Sequence, residues 1–323
     1  MISIEAYSKI HKSRWDDFIN LSKNSTFLFR RDFMDYHSDN FDDHSLLVFK
    51  DSELIALFPS NTIGKSVYSH QGLTYGGILV KSDMKFAQYL ELFENILNYY
   101  FEKSFEKLFI KQIPSIYNSD FNGELDYLAF ITEANIYRRD IISVIDMQND
   151  FNFSKDRIQG YRRGVKNNLE IKETDDLDEF WNIILIPRLS DKHSVKPVHN
   201  LGEIQKLKNN FKQNIRQFNV YHDGEIVAGT TIFQTKNVIH VQYIGSNMEK
   251  NLLGSLDFLF YNLITKIFPK HKYFDFGTSN EQQGKKINKG LIYWKEGYGA
   301  KSLIQDFYEI EISKFDKLRN LIV

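Results

Sequence analysis

At 323 residues, with 42% hydrophobic and 26% charged residues, the chain is long enough for two domains or one large one, and apolar enough that extended disorder is excluded. Its 41 Lys plus Arg against 42 Asp plus Glu create no global field toward DNA or an anionic membrane. The absence of cysteine excludes a disulfide scaffold, a thiolate nucleophile and Cys-ligated metals, and the nine histidines lack His-Glu-x-x-His spacing, so no metal site is expected.

Met1 to Tyr7 alternates like a strand and has no basic region followed by a long apolar run. No apolar stretch approaches the roughly 20 residues that span a bilayer, so a soluble, cytoplasmic protein is expected. Val48 to Ala56 reads as strand, tight turn at Asp51-Ser52, strand. A further strand is expected over Ser66 to Leu73, within a polar, glycine-rich run that carries His70 and Tyr75. Phe86, Tyr89, Leu90, Phe93, Ile96, Leu97, Tyr100 and Phe101 recur at three and four residues and predict an amphipathic helix, followed by the strand Lys107 to Lys111.

The second half repeats this order. Val220 to Ala228 is a hairpin turning on Asp223-Gly224, Val238 to Gly245 a strand, Ser255 to Phe268 a helix stopped by Pro269, and Lys272 to Phe276 a strand. The repetition favours two domains, at 1–147 and 148–323, over a single irregular α/β domain. After the boundary, Ser154 caps a helix through about Asn168 bearing Arg157, Arg162, Arg163 and Lys166. Either this is the solvated face of an inter-domain connector, or its cations bind phosphates, with Gly160 and Gly164 admitting a close partner. Lys192, His193 and His199 fall in or beside a segment bracketed by Pro187 and Pro197, read as an irregular lid or acceptor-binding loop.

Several motifs are absent or accidental. No Walker-type, dinucleotide-binding or nucleophile-elbow pattern occurs, and Asp275-Phe276-Gly277 matches the kinase metal-binding triplet without its companion loops. What remains is a strand, a glycine-containing loop from Asn247 to Gly254, and a helix starting at Ser255. Lys250, Asn251, Leu253, Gly254 and Ser255 would there present free N–H groups and a helix dipole to a pyrophosphate.

With His193 to Val198, Gly229, the strand Ile239 to Ile244, Leu253 to Asp257 and Lys295 to Gly299, this arrangement resembles the GNAT superfamily of N-acyltransferases. Within it, the resemblance is to the tandem-domain branch that includes Fem-type peptidoglycan-bridge aminoacyltransferases. It implies an α/β (α+β) protein of two tandem GNAT-like domains, each a mixed, mostly antiparallel sheet flanked by helices. The implied activity is transfer of an acyl group from an acyl thioester, acyl-CoA as co-substrate, to the amine of a small-molecule, sugar, glycan or peptide precursor in cell-envelope or polysaccharide biosynthesis. The loop keeps only the central glycine of the superfamily's CoA motif. An aminoacyl-tRNA donor is therefore the second reading, and a non-catalytic saccharide- or partner-binding module the third.

Amide formation needs a base for the attacking ammonium and donors for the oxyanion. Glu281 and Asp275 are the carboxylate candidates, and Lys295 joins them as a catalytic candidate. Alternation along Ile239 to Tyr243 points His240 and Gln242 to the site, with Tyr243 also retained as a candidate. Ser279 and Asn280 belong to the polar segment after the last strand of the repeat. A helix from about Lys285 would bury Ile287, Leu291 and Trp294 and turn Asn288 and Lys295 to one ligand. The first domain lacks a comparable phosphate loop, so it is expected to shape the acceptor pocket, with His70 and Tyr75 as contacts.

Overall fold

The computed structural model describes residues 1–193 and 197–322, with all their side chains but those of 37, 38 and 191–193. The chain divides into two compact units. Unit 1 comprises Met1–Asp140, Gln283–Lys285 and Ile304–Val323, and unit 2 comprises Ile141–Gln282 and Lys286–Leu303.

Unit 1 contains, in chain order, β1 (Ile2–Ala6), α1 (Lys12–Leu21), α2 (Arg31–Met34), β2 (Asp42–Asp43), β3 (Leu46–Lys50), β4 (Glu53–Phe58), β5 (Asn61–Ile63), β6 (Ser66–Tyr68), β7 (Leu79–Val80), α3 (Phe86–Glu102), β8 (Lys107–Lys111), α4 (Glu124–Ile131) and the start of β9 (Asn135–Asp146). The β3–β4 hairpin turns on Asp51 and Ser52, both at positive φ (48° and 71°), as a tight turn between twisted strands requires. Helix α3 buries Tyr89, Leu90, Phe93, Ile96, Leu97 and Tyr100, the middle of the stripe its spacing predicts, while Phe86 and Phe101 at its ends are exposed. The strand expected over Ser66 to Leu73 stops at Tyr68. The half-buried Lys111 ammonium donates to the Gln71 and Leu73 carbonyls, at 2.9 Å each, and His70 adopts φ 62°. The carbonyls that a longer strand would have offered to a neighbour go to a side chain instead.

Unit 2 contains α5 (Lys155–Lys166), β10 (Glu170–Thr174), a π-helical turn at Phe180–Leu185, α6 (Ile186–His193), α7 (Leu201–Asn210), β11 (Ile215–His222), β12 (Glu225–Gln234), β13 (Val238–Ser246), α8 (Lys250–Leu253), α9 (Ser255–Asn262), β14 (Tyr273–Thr278), β15 (Asn280–Glu281), β16 (Lys286–Ile287), α10 (Lys289–Glu296) and the start of β17 (Lys301–Glu311). Its sheet runs β10-β11-β12-β13-β14-β9, antiparallel except for the parallel β13–β14 pair. One face carries the core built on Phe260, Leu263, Phe274 and Phe276.

Each unit closes on a strand distant in sequence. In unit 1, Phe307 to Glu311 of β17 pair antiparallel with Lys111 to Lys107 of β8, and Tyr308, Ile310, Ile312, Phe315 and Leu318 enter the unit 1 core. In unit 2, Val144 to Asp146 of β9 pair with Asp275 to Tyr273 of β14. The halves 1–147 and 148–323 read from the sequence are contiguous, whereas these units are not, because their last strands are exchanged.

Three sequence expectations change here. Helix α5, capped by Ser154, is packed along α9 within unit 2, so it is not a free-standing connector. Pro187 to His193 is helical: α6 runs on without a break from the π-helical turn Phe180–Leu185, and it is beside this widened turn that Pro187, which has no N–H to donate, is accommodated. Helix α10 begins at Lys289 and not near Lys285: Lys286 and Ile287 pair with Glu281 and Asn280, and Ile287 and Leu291 are exposed. No helix among the described residues is long and apolar enough to cross a membrane.

Candidate functional site

A cleft of about 690 Å³ opens in unit 2. Its apolar walls are Leu189, Ile244, Leu256, Leu291, Tyr293 and Trp294, and its polar groups are Arg157, Arg188, Lys250, Glu281, Asn288 and the Gly245-Ser246 backbone. Both volume and composition are those of a ligand pocket, mostly apolar with a few convergent polar groups.

The sheet explains where the cleft lies. The parallel β13–β14 ladder consists of Val238 with Tyr273, Ile239 with Phe274 and His240 with Asp275. Strand β13 continues six residues beyond it to Ser246, so that edge has no ladder partner among the described residues, and its last residues line the cleft. Beneath lies an aromatic cluster. Trp294 packs edge-on against Phe260, Phe276 and Tyr298 at ring-centre distances of 5.3, 5.6 and 5.1 Å.

Glu281 is the one carboxylate among the residues that line the cleft. Asn288 donates to its Oε1 at 2.9 Å from Nδ2, while Asn288 Oδ1 caps α10 by accepting the Leu291 N–H at 3.0 Å. The expectation that Asn288 and Lys295 point at one ligand fails. Lys295 is buried and donates to the Gly277 and Thr278 carbonyls at 2.9 and 2.7 Å, pinning the end of β14. Burial pulls its pKa down to about 8, against the opposing attraction of Asp275.

Asp275 is also buried and engaged. Its Oδ1 accepts the Gly277 N–H at 2.7 Å, and Oδ2 lies 2.8 Å from His240 Nδ1. His240 therefore turns to Asp275 rather than to the cleft. The face assignment for β13 fails at a bulge, where the register with β12 shifts between Thr231–Tyr243 and Ile232–Val241, stranding Gln242 between them. Gln242 Oε1 is buried with no hydrogen-bond partner among the described residues. Tyr243 is buried on the far side, with its hydroxyl 2.6 Å from His199 Nδ1 and its ring against Trp181. Burial pushes its pKa up to about 12.

The remaining expected residues scatter. Asn280 Oδ1 accepts the Ile141 N–H at 2.7 Å, and Ser279 is buried, its hydroxyl without a hydrogen-bond partner among the described residues. The His193 side chain lies outside the described residues. His70 is buried against Phe41, and Tyr75 is buried with its hydroxyl on Thr26, so neither presents itself to an acceptor.

The expected phosphate loop is split. Lys250 lines the cleft and Asn251 is exposed, but Leu253, Gly254 and Ser255 are buried. Gly254 adopts φ 73°, and a Cβ there would lie 2.1 Å from the Gly160 carbonyl oxygen. A Cβ on Gly160 would lie 1.7 Å from Asp257 Oδ2. These glycines let α5 approach α8 and α9; they do not leave a backbone cradle open to an anion. Arg157, from α5, instead reaches the cleft. Its Nη1 donates to Asp257 Oδ1 at 2.6 Å, and Asp257 also accepts from the Tyr298 hydroxyl at 2.8 Å. Burial raises the Asp257 pKa, opposed by Arg157. Arg188, which sequence reasoning missed, lines the cleft with no carboxylate partner among the described residues; nothing in its sequence surroundings marks it.

No protein-family model matches this chain, and no curated protein sequence does. Solved structures do. FemX superposes with a TM-score of 0.68 at 9% identity, covering 98% of this chain and 99% of that one. L-PGS from Bacillus licheniformis gives 0.61 at 13% identity, covering 92% and 90%. A tandem GNAT protein from the clavulanic acid biosynthesis pathway gives 0.51 at 12%, covering 97% and 99%. The protein has a Fem-type, tandem GNAT-like fold, as its sequence pattern implied.

Proposed function

We propose that the protein is an N-acyltransferase or aminoacyltransferase whose transfer site is the unit 2 cleft, acting on an amine of a sugar or peptide precursor in cell-envelope or polysaccharide synthesis. The carrying observation is the cleft itself: one carboxylate, held by Asn288, beside the unpaired end of β13 and three cationic side chains. Glu281 is the proposed base for the attacking ammonium, and unpaired N–H groups of β13 the proposed donors to the oxyanion. Asp275 and Lys295 act as positioning residues through Gly277 and Thr278. Structures with the same fold are named for FemX, for a lysylphosphatidylglycerol synthetase and for a tandem GNAT protein, which supports transferase chemistry on this scaffold.

For the donor, we favour an acyl thioester, with CoA as co-substrate. Gly254 and Ser255 do not fit its pyrophosphate, because α5 already covers them; the residues suited to its anionic part are Arg157, Arg188 and Lys250. One observation favours aminoacyl-tRNA as the second reading: Arg162, Arg163 and Lys166 are exposed on α5 and enter no ion pair among the described residues. Thiol release from an acyl-CoA series and transfer from labelled aminoacyl-tRNA, each with a panel of amino sugars and peptides, decide between them. Turnover with neither donor would overturn the transferase reading.

A further inference from the structure

Asp257, on α9, is a buried carboxylate of unit 2 that the transfer proposed above does not use. Its Oδ1 accepts from Arg157 Nη1 at 2.6 Å and from the Tyr298 hydroxyl at 2.8 Å, which ties α9 to α5 and to the residues that follow α10. A pair that gives up its hydration adds little to stability compared with an apolar pair of the same volume, so stability alone does not account for it.

The chain makes room for both partners. A Cβ on Gly160 would lie 1.7 Å from Asp257 Oδ2, and one on Gly297 would lie 3.1 Å from Arg157 Cγ. The Arg157 stem therefore runs close against the end of α10, and its guanidinium carbon lies 5.8 Å from the centre of the Tyr298 ring. With its stem clasped and its side chain only 16% exposed, Arg157 still lines the cleft. The carboxylate takes Nη1, one corner of the guanidinium, and the planar fork carries further donors beyond that corner.

We propose that Asp257 is the positioning residue of the cleft's anion site: by holding one corner of the Arg157 guanidinium, it fixes the plane of the fork and turns the remaining donors toward the anionic part of the donor substrate. This rests on the assignment of Arg157 to that anionic part. An arginine already held in its binding geometry has less side-chain freedom to lose when the ligand arrives, so the gain is read in affinity.

The test is titration calorimetry of the whole protein with inorganic pyrophosphate. Arg157→Ala is expected to weaken binding about 10–100-fold, the loss of charge-assisted hydrogen bonds. Asp257→Ala is expected to weaken it about five- to tenfold, and Asp257→Asn, whose amide oxygen still accepts from Nη1, to stay within about twofold of the wild type. Placed on Arg157→Ala, the Asp257→Ala change is expected to have no further effect, because Asp257 acts through Arg157. Tyr298→Phe, which removes the other donor to the same carboxylate, should lower the Tm and leave affinity within about twofold, separating orientation from stability. Arg157→Lys, which keeps the charge without the fork and leaves Asp257 in place, is expected to lose at least about fivefold; it carries the test if Asp257→Ala does not fold. Unchanged or tighter binding by Asp257→Ala, equal effects of Asp257→Ala and Asp257→Asn, additive effects in the double variant, or wild-type affinity in Arg157→Lys would overturn the inference while the anion role of Arg157 stands. No loss on Arg157→Ala would instead remove Arg157 from the anion site and overturn both.

Discussion

Asn288 Nδ2 donates to Glu281 Oε1 at 2.9 Å, while the same side chain's Oδ1 caps α10 at Leu291. One amide thus joins the cleft's carboxylate to the start of a helix, and its orientation is set by which end each partner requires.

If Glu281 is the base, Glu281→Gln keeps the Asn288 contact through its amide oxygen and removes only the proton acceptor. Turnover is expected to fall about 10²–10⁴-fold with little change in KM or Tm. A variant that retains wild-type kcat would take the base role away from Glu281.

Asn288→Ala removes both bonds. Loss of the cap is expected to destabilise the protein by about 1 kcal/mol in urea unfolding, and kcat should also drop as Glu281 loses its fixed position. Asn288→Ser restores a capping oxygen but cannot reach as far, so it should recover stability ahead of activity.

Lys295 gives a pH signature. Its native pKa, near 8, lies below the value of about 10.4 in an unfolded chain, so between these limits the unfolded state holds the extra proton and stability rises with pH. Lys111 in unit 1, brought to about 8 by burial with help from Arg138, contributes in the same sense. Unfolding titrations from pH 7 to 10 should show a shallower rise for Lys295→Met than for the wild type. The variant should also be less stable throughout, because the Gly277 and Thr278 carbonyls lose their donor. Parallel curves would show that Lys295 does not titrate in this window.

Gly160→Ala and Gly254→Ala test the packing of α5. Their new methyl groups would meet Asp257 Oδ2 and the Gly160 carbonyl well inside contact distance. Each is expected to cost roughly 2–4 kcal/mol, from overpacking and, at Gly254, from strained backbone. Gly202→Ala, whose Cβ meets only Asn200 Oδ1 at 3.4 Å, serves as the tolerated control. A Gly160→Ala variant with wild-type Tm would show that α5 can move away from α9.

The repeat order was legible because hairpin turns and amphipathic helices carry local signatures: Asp51-Ser52, Asp223-Gly224 and the stripe of α3 mean the same thing in any context. The site was less legible because its geometry depends on pairings between distant residues. Gly160 and Gly164 were visible as a small-residue spacing, yet only the position of α9 shows that they serve helix contact. The bulge at Gln242 arises from a mismatch with β12 that no single strand records; alternation holds up to Val241, and it is Asp275 on the neighbouring strand that draws His240 away from the cleft. Asn288 and Lys295 sit two turns apart, but Asn288 precedes the helix, so helical periodicity does not relate them.

The strand exchange constrains how the chain can fold as it is made. Unit 1 lacks its β17 partner until Phe307 to Glu311 emerge, long after Asp140 has left the ribosome. At about 5–20 residues per second, that interval is roughly 10–30 s. Throughout it, the edge of β8 and the apolar faces awaiting Tyr308, Ile310 and Phe315 are exposed. Unit 1 therefore cannot complete its sheet and core until the last strand has emerged.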